Sequence, residues 1–273
     1  MIENWKLQKI YKTRAMFICP FHKSQKGGAD LDLTIEEDYS GKFFCYSCKK
    51  SGSVPMADVI KLREMRGETK EQTKVLDWGK LHQEYVRKRY QSGVFPPLKI
   101  SPETLTKVGW GFDGVAHTFP ERNEKNQIIG MLRRFPDGNK GVVAGSCRGL
   151  TVPTIQFDSK KVLYITEGVS DLCVVLEAGL QGIARPNASS CNEMLVQWLC
   201  LHYAESGKIV IVADNDTTGI DGAKLLYNEI RNIKLESGEL ARFDVQVQTP
   251  PEADLYDTFL ELDLEETRKW LQT

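Results

Sequence analysis

The sequence predicts an α/β protein built in two styles. A small antiparallel ribbon comes first, a helical linker and a mixed, basic α+β segment follow, and a parallel sheet with flanking helices comes last. Three observations predict it. Cys19-Pro20-Phe21-His22 and Cys45-Tyr46-Ser47-Cys48 are two tight pairs of sulfur and imidazole groups with 22 residues between them. From residue 161 onward, apolar runs alternate with helix-like stretches, the grammar of strand, crossover and strand. The acids of that half stand just after its apolar runs, where open parallel sheets bind ligands.

The ribbon is justified by what lies between the two pairs. Leu31-Asp32-Leu33-Thr34-Ile35 alternates apolar and polar residues, and Lys42-Phe43-Phe44-Cys45-Tyr46 is an aromatic-rich strand behind a turn at Ser40-Gly41. A hairpin with one ligand pair before it and one at its end aims Cys19, His22, Cys45 and Cys48 at one point. Two such pairs, each held two residues apart, suit a tetrahedral Zn²⁺. The ribbon ends near Lys49–Ser53, and Val54–Arg66 reads as a short amphipathic helix closing at Gly67.

Residues 68–92 carry Val75, Trp78, Leu81, Tyr85 and Val86 at helical spacing, and the Gly93 and Pro96-Pro97 region breaks the pattern. Ser101-Pro102-Glu103-Thr104 opens another helix, with Ser101 as N-cap and Pro102 at the first helical position. Gly109-Trp110-Gly111-Phe112 ends it and leads into strands. Residues 115–157 read as short antiparallel strands with turns at Asn123–Asn126 and Pro136–Asn139. The sequence thus divides into 1–66 (ribbon), 67–114 (helical linker), 115–160 (basic α+β segment) and 161–273 (parallel sheet).

In the last segment Val162–Ile165, Gly182–Ala184, Lys208–Ala213 and Phe243–Val247 are the strands. Val169–Gly179, Asn192–Ala204 and Gly219–Lys234 are the helices between them, and two short helices follow the last strand. Glu167 follows the first strand, with Asp171 one helical turn on. Asp214-Asn215-Asp216 follows the most apolar strand, with Gly219 allowing a tight turn, and Asp254 follows the last strand with Asp257 three residues on. Glu167, Asp171, Asp214, Asp216 and Asp254 are therefore expected to converge. Mutual repulsion makes such acids poor stabilisers unless cations separate them, and hard oxygen ligands favour Mg²⁺ or Mn²⁺.

Composition bounds the function. The net charge is −1, but residues 1–100 hold 19 basic and 12 acidic side chains while residues 151–273 hold 10 and 20. A basic front suits a polyanion and an acidic back suits bound cations. No Gly-x-x-x-x-Gly-Lys-Ser/Thr loop is present, so this is not a Walker-type ATPase, and no Ser/His/Asp order suggests a hydrolytic triad. His82, His117 and His202 are isolated and read as packing or surface residues. Of the cysteines outside the zinc quartet, Cys147, Cys173 and Cys191 read as small buried hydrophobes, and Cys200 has no evident pairing. The first residues lack a signal-peptide core and no apolar run reaches the length of a membrane span, so the expected compartment is the cytoplasm.

These motifs, in this order, resemble the catalytic core of bacterial and phage (DnaG-like) DNA primases from about residue 15 to residue 262. The Cys19–His22 and Cys45–Cys48 pairs are similar to that family's zinc-binding domain, and Gly52 with Ala57–Ile60 to the helix behind it. Ser101–Thr104 with Gly109–Phe112 resembles its linker. Glu167-Gly168-Val169-Ser170-Asp171, Asp214-Asn215-Asp216 with Gly219, and Asp254 resemble the TOPRIM signature. One departure stands out: Tyr256 occupies the place of the acid expected two positions after Asp254, and Asp257 is the candidate substitute. The resemblance implies template-directed synthesis of short RNA primers on single-stranded DNA from NTPs. Glu167, Asp214 and Asp216 would be the catalytic acids, one Zn²⁺ would be structural, and Mg²⁺ or Mn²⁺ would bind the five carboxylates. Arg133, Arg134, Lys140 and Arg148 are assigned to nucleic-acid and nucleotide phosphates by charge and position. No helicase motor follows the last acids, so a replicative helicase would be supplied by another chain. The alternatives are a TOPRIM nuclease acting on DNA and a non-catalytic DNA-binding replication factor.

Overall fold

A computed structural model describes residues 5–10, 14–21, 31–35, 41–65, 76–203, 206–235 and 238–273. The chain forms two compact units, Met1–Leu81 with Val142–Cys147, and His82–Gly141 with Arg148–Thr273.

The first unit is a five-stranded meander, β1 (Lys6–Ile10), β2 (Arg14–Ile18), β3 (Leu31–Ile35), β4 (Gly41–Cys45) and β5 (Ser51–Val54), each antiparallel to the next. The hairpin read from the sequence is β3–β4, with strands added on both sides. Helix α1 (Met56–Met65) follows. Alternation along β3 and β4 buries Leu31, Leu33, Ile35 and Phe43 with Ala15, Phe17, Val54, Val59 and Leu62. Trp5 closes this core, edge-on to Phe17 and Phe43 at 5.4 and 5.2 Å between ring centroids. On the other face of β3 the buried Asp32 carboxylate pairs with Arg14 and accepts a hydrogen bond from Tyr46 at 3.4 Å. The core is small, so the sheet depends on a further constraint at its end.

Helix α2 (Trp78–Ser92) begins where the Asp77 carboxylate accepts from the Lys80 amide at 3.0 Å. The N-terminal part of the helical stretch read at 68–92 falls largely outside the described residues. Near its end the Arg89 guanidinium stacks over Trp110 and donates to the Trp110 carbonyl at 3.0 Å, which explains why this arginine is buried. Helix α3 (Pro102–Lys107) starts as its sequence predicts, with the Ser101 hydroxyl accepting from the Thr104 amide. That hydroxyl donates in turn to Glu177 at 2.8 Å.

The second unit carries two sheets. One has the order β6 (Gly111–Phe112), β7 (His117–Arg122), β8 (Ile128–Arg134), β9 (Lys140–Val142), with β6, β7 and β8 paired antiparallel. The turns at 123–126 and 136–139 are those expected; Asn126 and Gly138 supply the left-handed conformations they need. The other sheet is wholly parallel, in the order β11 (Gln181–Arg185), β10 (Leu163–Glu167), β12 (Ser206–Val212), β13 (Arg242–Gln248). Leu150 and Thr151 bridge the two, pairing with Arg122 and Ala184.

Period-two alternation sends Tyr164, Ala184, Val210 and Val212 to one face of the parallel sheet, where they pack with α4 (Val169–Glu177), α7 (Leu255–Leu262) and α8 (Leu264–Leu271). Leu163, Ile165, Ile183, Ile209, Ile211 and Val245 face the other way, onto α5 (Asn192–His202) and α6 (Thr217–Arg231). Burial on both faces is why these strands read as near-continuous apolar runs. Among the cysteines outside the ribbon, Cys173 is buried in this core as expected. Cys191 is only half-buried although it packs against the core behind α5 and α6, Cys147 is half-buried, and Cys200 is exposed. His117 is buried and accepts from the Trp110 indole at 3.1 Å, and the exposed His202 meets the Glu124 carbonyl, so both are packing or surface residues as expected. Among the described residues no helix is long and apolar enough to cross a membrane.

Candidate functional site

At the ribbon, Cys19 follows β2, Cys45 ends β4, and Cys48 lies in the turn after it. Their three sulfurs lie within 4.8 Å of one another, and Cys19 Sγ is 3.8 Å from Cys48 Sγ. Sulfurs placed about 2.3 Å from one tetrahedral Zn²⁺ would be about 3.8 Å apart, so the spacing fits that ion. The turn is set by Lys49, whose φ of 62° lets its amide reach the Cys45 carbonyl at 2.9 Å. The Cys48 amide donates to Cys45 Sγ at 3.4 Å. Burial pushes the Cys19 thiol up to about 11, and the neighbouring sulfurs add to it. Three crowded thiols, two of them buried, are a poor arrangement unless a cation draws off their protons. His22, the fourth expected ligand, lies outside the described residues.

The second cluster sits where the parallel sheet changes direction. Chain order runs from β10 outward to β11, then returns to β12 on the other side of β10. The crevice beyond the carboxyl ends of β10 and β12 is therefore the topological switch point, the usual place for a ligand. Glu167 ends β10, and Asp214 follows β12. Gly168 carries a φ of 99° at the start of α4, a conformation that favours glycine, and the turn puts Asp171 in the helix's first turn. Beyond β12, a Cβ on Gly219 would come within 2.5 Å of the Asp214 carbonyl, so only glycine lets α6 start this close to the strand end.

The five expected acids form one interacting set centred on Asp214. Burial pushes Glu167 up to about 7, with Asp214 and Asp216 adding to it and Arg185 opposing. Asp214 is pushed up to about 6 by burial and then by Asp254 and Asp216, with Lys140 and Arg185 opposing. Asp171, buried beneath them, is raised well above the ordinary range by burial and by Asp254 and Asp214, although its Oδ1 accepts from the Tyr256 amide at 2.9 Å. Asp216 and Asp254 double as helix N-caps, accepting from the Gly219 and Asp257 amides at 2.7 Å each. Capping engages one oxygen of each and leaves the other for a cation. Asp257 is exposed in the first turn of α7 and is not among the charges that chiefly shift Glu167, Asp171 or Asp214. So dense a set of carboxylates with depressed acidity suits a hard divalent ion such as Mg²⁺ or Mn²⁺.

The expected basic residues separate. Lys140 is exposed and close enough to the cleft to hold Asp171 and Asp214 down. Arg134 donates to the Ser170 hydroxyl at 3.0 Å, beside Asp171, and its Nε has no partner among the described residues. Arg133 is paired with Asp113 at 2.7 Å and stacks on Phe135. Arg148 grips the buried Glu121 with three hydrogen bonds of 2.9–3.0 Å. The last two have carboxylate partners already.

Arg185 escaped the sequence reading. It ends β11 directly beside Glu167 in register, fully buried, with Nη2 3.7 Å from Glu167 Oε1. The rule that drew attention to acids after strands applies equally to a cation at the end of Gly182-Ile183-Ala184, and that was the available signal.

No family model matches the sequence, and no curated protein matches it. Solved structures do. The primase fragment of the bacteriophage T7 primase-helicase protein superposes with a TM-score of 0.51 at 19% identity, covering 91% of this chain and 97% of that one. A DNA primase domain from Pseudomonas aeruginosa gives 0.51 at 12% identity, over 72% of this chain and 77% of that one. The Aquifex aeolicus primase, comprising zinc binding and RNA polymerase domains, gives 0.47 at 15% identity, over 99% and 81%. The fold is that of the phage and bacterial primases.

Proposed function

We propose that the chain is a DNA primase, synthesising short RNA primers on single-stranded DNA from NTPs by divalent-metal nucleotidyl transfer. The observation that carries the reading is the convergence of Glu167, Asp171, Asp214, Asp216 and Asp254 at the switch point of a parallel sheet, in the same chain as a zinc-type cysteine cluster. The shared fold supports it. In this reading residues 161–273 are a TOPRIM domain, 115–160 the basic front of the polymerase domain, 67–114 the linker and 1–66 the zinc-binding domain.

The five carboxylates would hold one or two Mg²⁺ or Mn²⁺ ions, with Glu167, Asp214 and Asp216 nearest the reacting groups. Bound there, such an ion lowers the pKa of an attacking 3′-hydroxyl and neutralises charge on the incoming triphosphate. Lys140 and Arg134 have the charge and position to meet phosphates beside the acids. Cys19, Cys45 and Cys48, with His22, would hold a structural Zn²⁺ and keep the ribbon folded for template contact. The compartment proposed is the cytoplasm, and a replicative helicase is a proposed partner.

One assay tests the reading: the purified chain with NTPs, Mg²⁺ and single-stranded DNA. Short RNA products are expected. Cleaved DNA would instead identify a nuclease built on the same acids, and binding with neither product would identify a non-catalytic replication factor.

A further inference from the structure

Arg185 is fully buried, and its surroundings satisfy only half of it. Nη1 donates to the Ala188 carbonyl at 2.7 Å and to Asn192 Oδ1 at 2.6 Å, anchoring the guanidinium in the turn between β11 and α5. Nη2 and Nε have no hydrogen-bond partner among the described residues, and neither does Glu167 Oε1, which Nη2 faces at 3.7 Å. That gap is too long for a hydrogen bond and short enough for strong attraction between buried charges. A guanidinium taken out of water with two donors unmet is costly unless anions surround it. Here they do: Glu167 is its neighbour across the strand pair, and Asp214 also acts on it. Lys140, another cation near the cleft, is exposed by comparison.

We infer that Arg185 is the built-in counter-cation of the carboxylate cleft, a positioning residue that holds Glu167 in place and keeps the cleft folded before any divalent ion binds. The inference rests on reading the cleft as a divalent-metal site, but its central claim, that Arg185 and Glu167 act as a pair, does not require metal. If Arg185 offsets the acids permanently, its loss should make the cleft more dependent on added cations. If it serves only to tie down the turn through Ala188 and Asn192, its loss should cost the same with and without them.

The test is thermal melting of the full chain carrying Glu167→Gln, Arg185→Gln, both together, or Asp214→Asn, in EDTA and in saturating Mg²⁺. In EDTA Arg185→Gln is expected to lower the melting temperature of the cleft-bearing unit by about 5–10 °C, whereas Glu167→Gln, which relieves repulsion among the acids as it loses the pair, should change it little. The double variant should melt above Arg185→Gln, because no carboxylate is then left facing the lost cation. Asp214→Asn, which removes a carboxylate but leaves the pair intact, should melt level with or above the wild type. Adding Mg²⁺ should raise Arg185→Gln by more degrees than it raises the wild type. A double variant that melts no higher than Arg185→Gln in EDTA overturns the pairing. An equal loss for Arg185→Gln in EDTA and Mg²⁺ overturns the counter-cation role. A wild type that neither gains stability from Mg²⁺ nor binds Mn²⁺ by electron paramagnetic resonance sinks the metal reading instead, and the EDTA cycle still decides whether the two residues are paired.

Discussion

Glu167 and Asp214 stand at the ends of neighbouring strands, yet they differ in what lies behind them. Asp214 faces Asp254 and Asp216, whereas Glu167 also has the buried Arg185 at its side. Asp214→Ala and Asp216→Ala should each reduce primer synthesis by about 100-fold or more in a fixed-time RNA assay while single-stranded DNA binding persists. In metal-free buffer the Asp214 variant should melt level with or above the wild type, since repulsion is relieved. Asp257→Ala should cost far less activity, given its exposed position in α7. The raised values also set a pH dependence. Glu167 goes from its ordinary 4.5 to about 7 on folding, and Asp214 from 3.8 to about 6, so the folded state holds extra protons in those windows. Metal-free stability is then expected to fall as pH rises from about 4 to about 7, and Mg²⁺ should offset the decline by favouring the ionised forms; melts in EDTA and in Mg²⁺ across that range check both. Arg148 gives the contrasting case of an ion pair outside the cleft. Arg148→Ala strands the buried Glu121 and should cost roughly 3 kcal/mol of stability at neutral pH, measured by urea unfolding. Glu121 is already raised by burial, so the loss should shrink as acid protonates it.

At the scale of elements, the two halves depend on different things. The ribbon β1–β5 has one small core and a cysteine cluster at its end, and metal binding is expected to contribute most of its folding energy. Cys45→Ser should therefore unfold the ribbon and release zinc, read as loss of one Zn²⁺ per chain by metal analysis. The parallel sheet, with a core on each face, should keep its own cooperative melt. Most of these elements were legible. The hairpin, the Ser101 cap and every strand of the parallel sheet follow from period-two patterning, turn residues and short apolar runs. The flanking strands β1 and β2 were not read out, because Lys6–Ile10 mixes charges with apolar residues on the sheet edge and Arg14–Ile18, one strand further in, alternates over only five residues. The acids were legible because strand ends are a rule of position. Arg185 shares that strand-end position, but only the register of β10 against β11 shows that it stands beside Glu167. The same limit applies to Arg133 and Arg148, whose partners Asp113 and Glu121 lie 20 and 27 residues away and become neighbours only through sheet pairing.

Across the whole molecule, charge is divided between a basic front and an acidic back, and the exposed cations should govern affinity for a polyanion. Lys140→Glu is expected to weaken single-stranded DNA binding and to flatten the plot of log affinity against log salt by about 0.7, since one phosphate contact is lost. Arg133→Ala should leave that slope unchanged because its charge is already matched by Asp113. Fluorescence anisotropy over a salt series separates the two. The order in which the cleft gathers its acids has a further consequence, for the timing of synthesis. Glu167 and Asp171 emerge from the ribosome first, Asp214 and Asp216 follow, and Asp254 comes only after β13. The central strand β10 is made early, yet one of its neighbours, β12, arrives about 40 residues later, so its apolar residues must wait. A nascent chain halted just after β12 would hold four of the five acids but lack the residue that caps α7 and the Tyr256 amide that steadies Asp171. Chemistry at this site is therefore expected only in chains translated past Tyr256, and a chain halted before Asp254 should be inert rather than partly active.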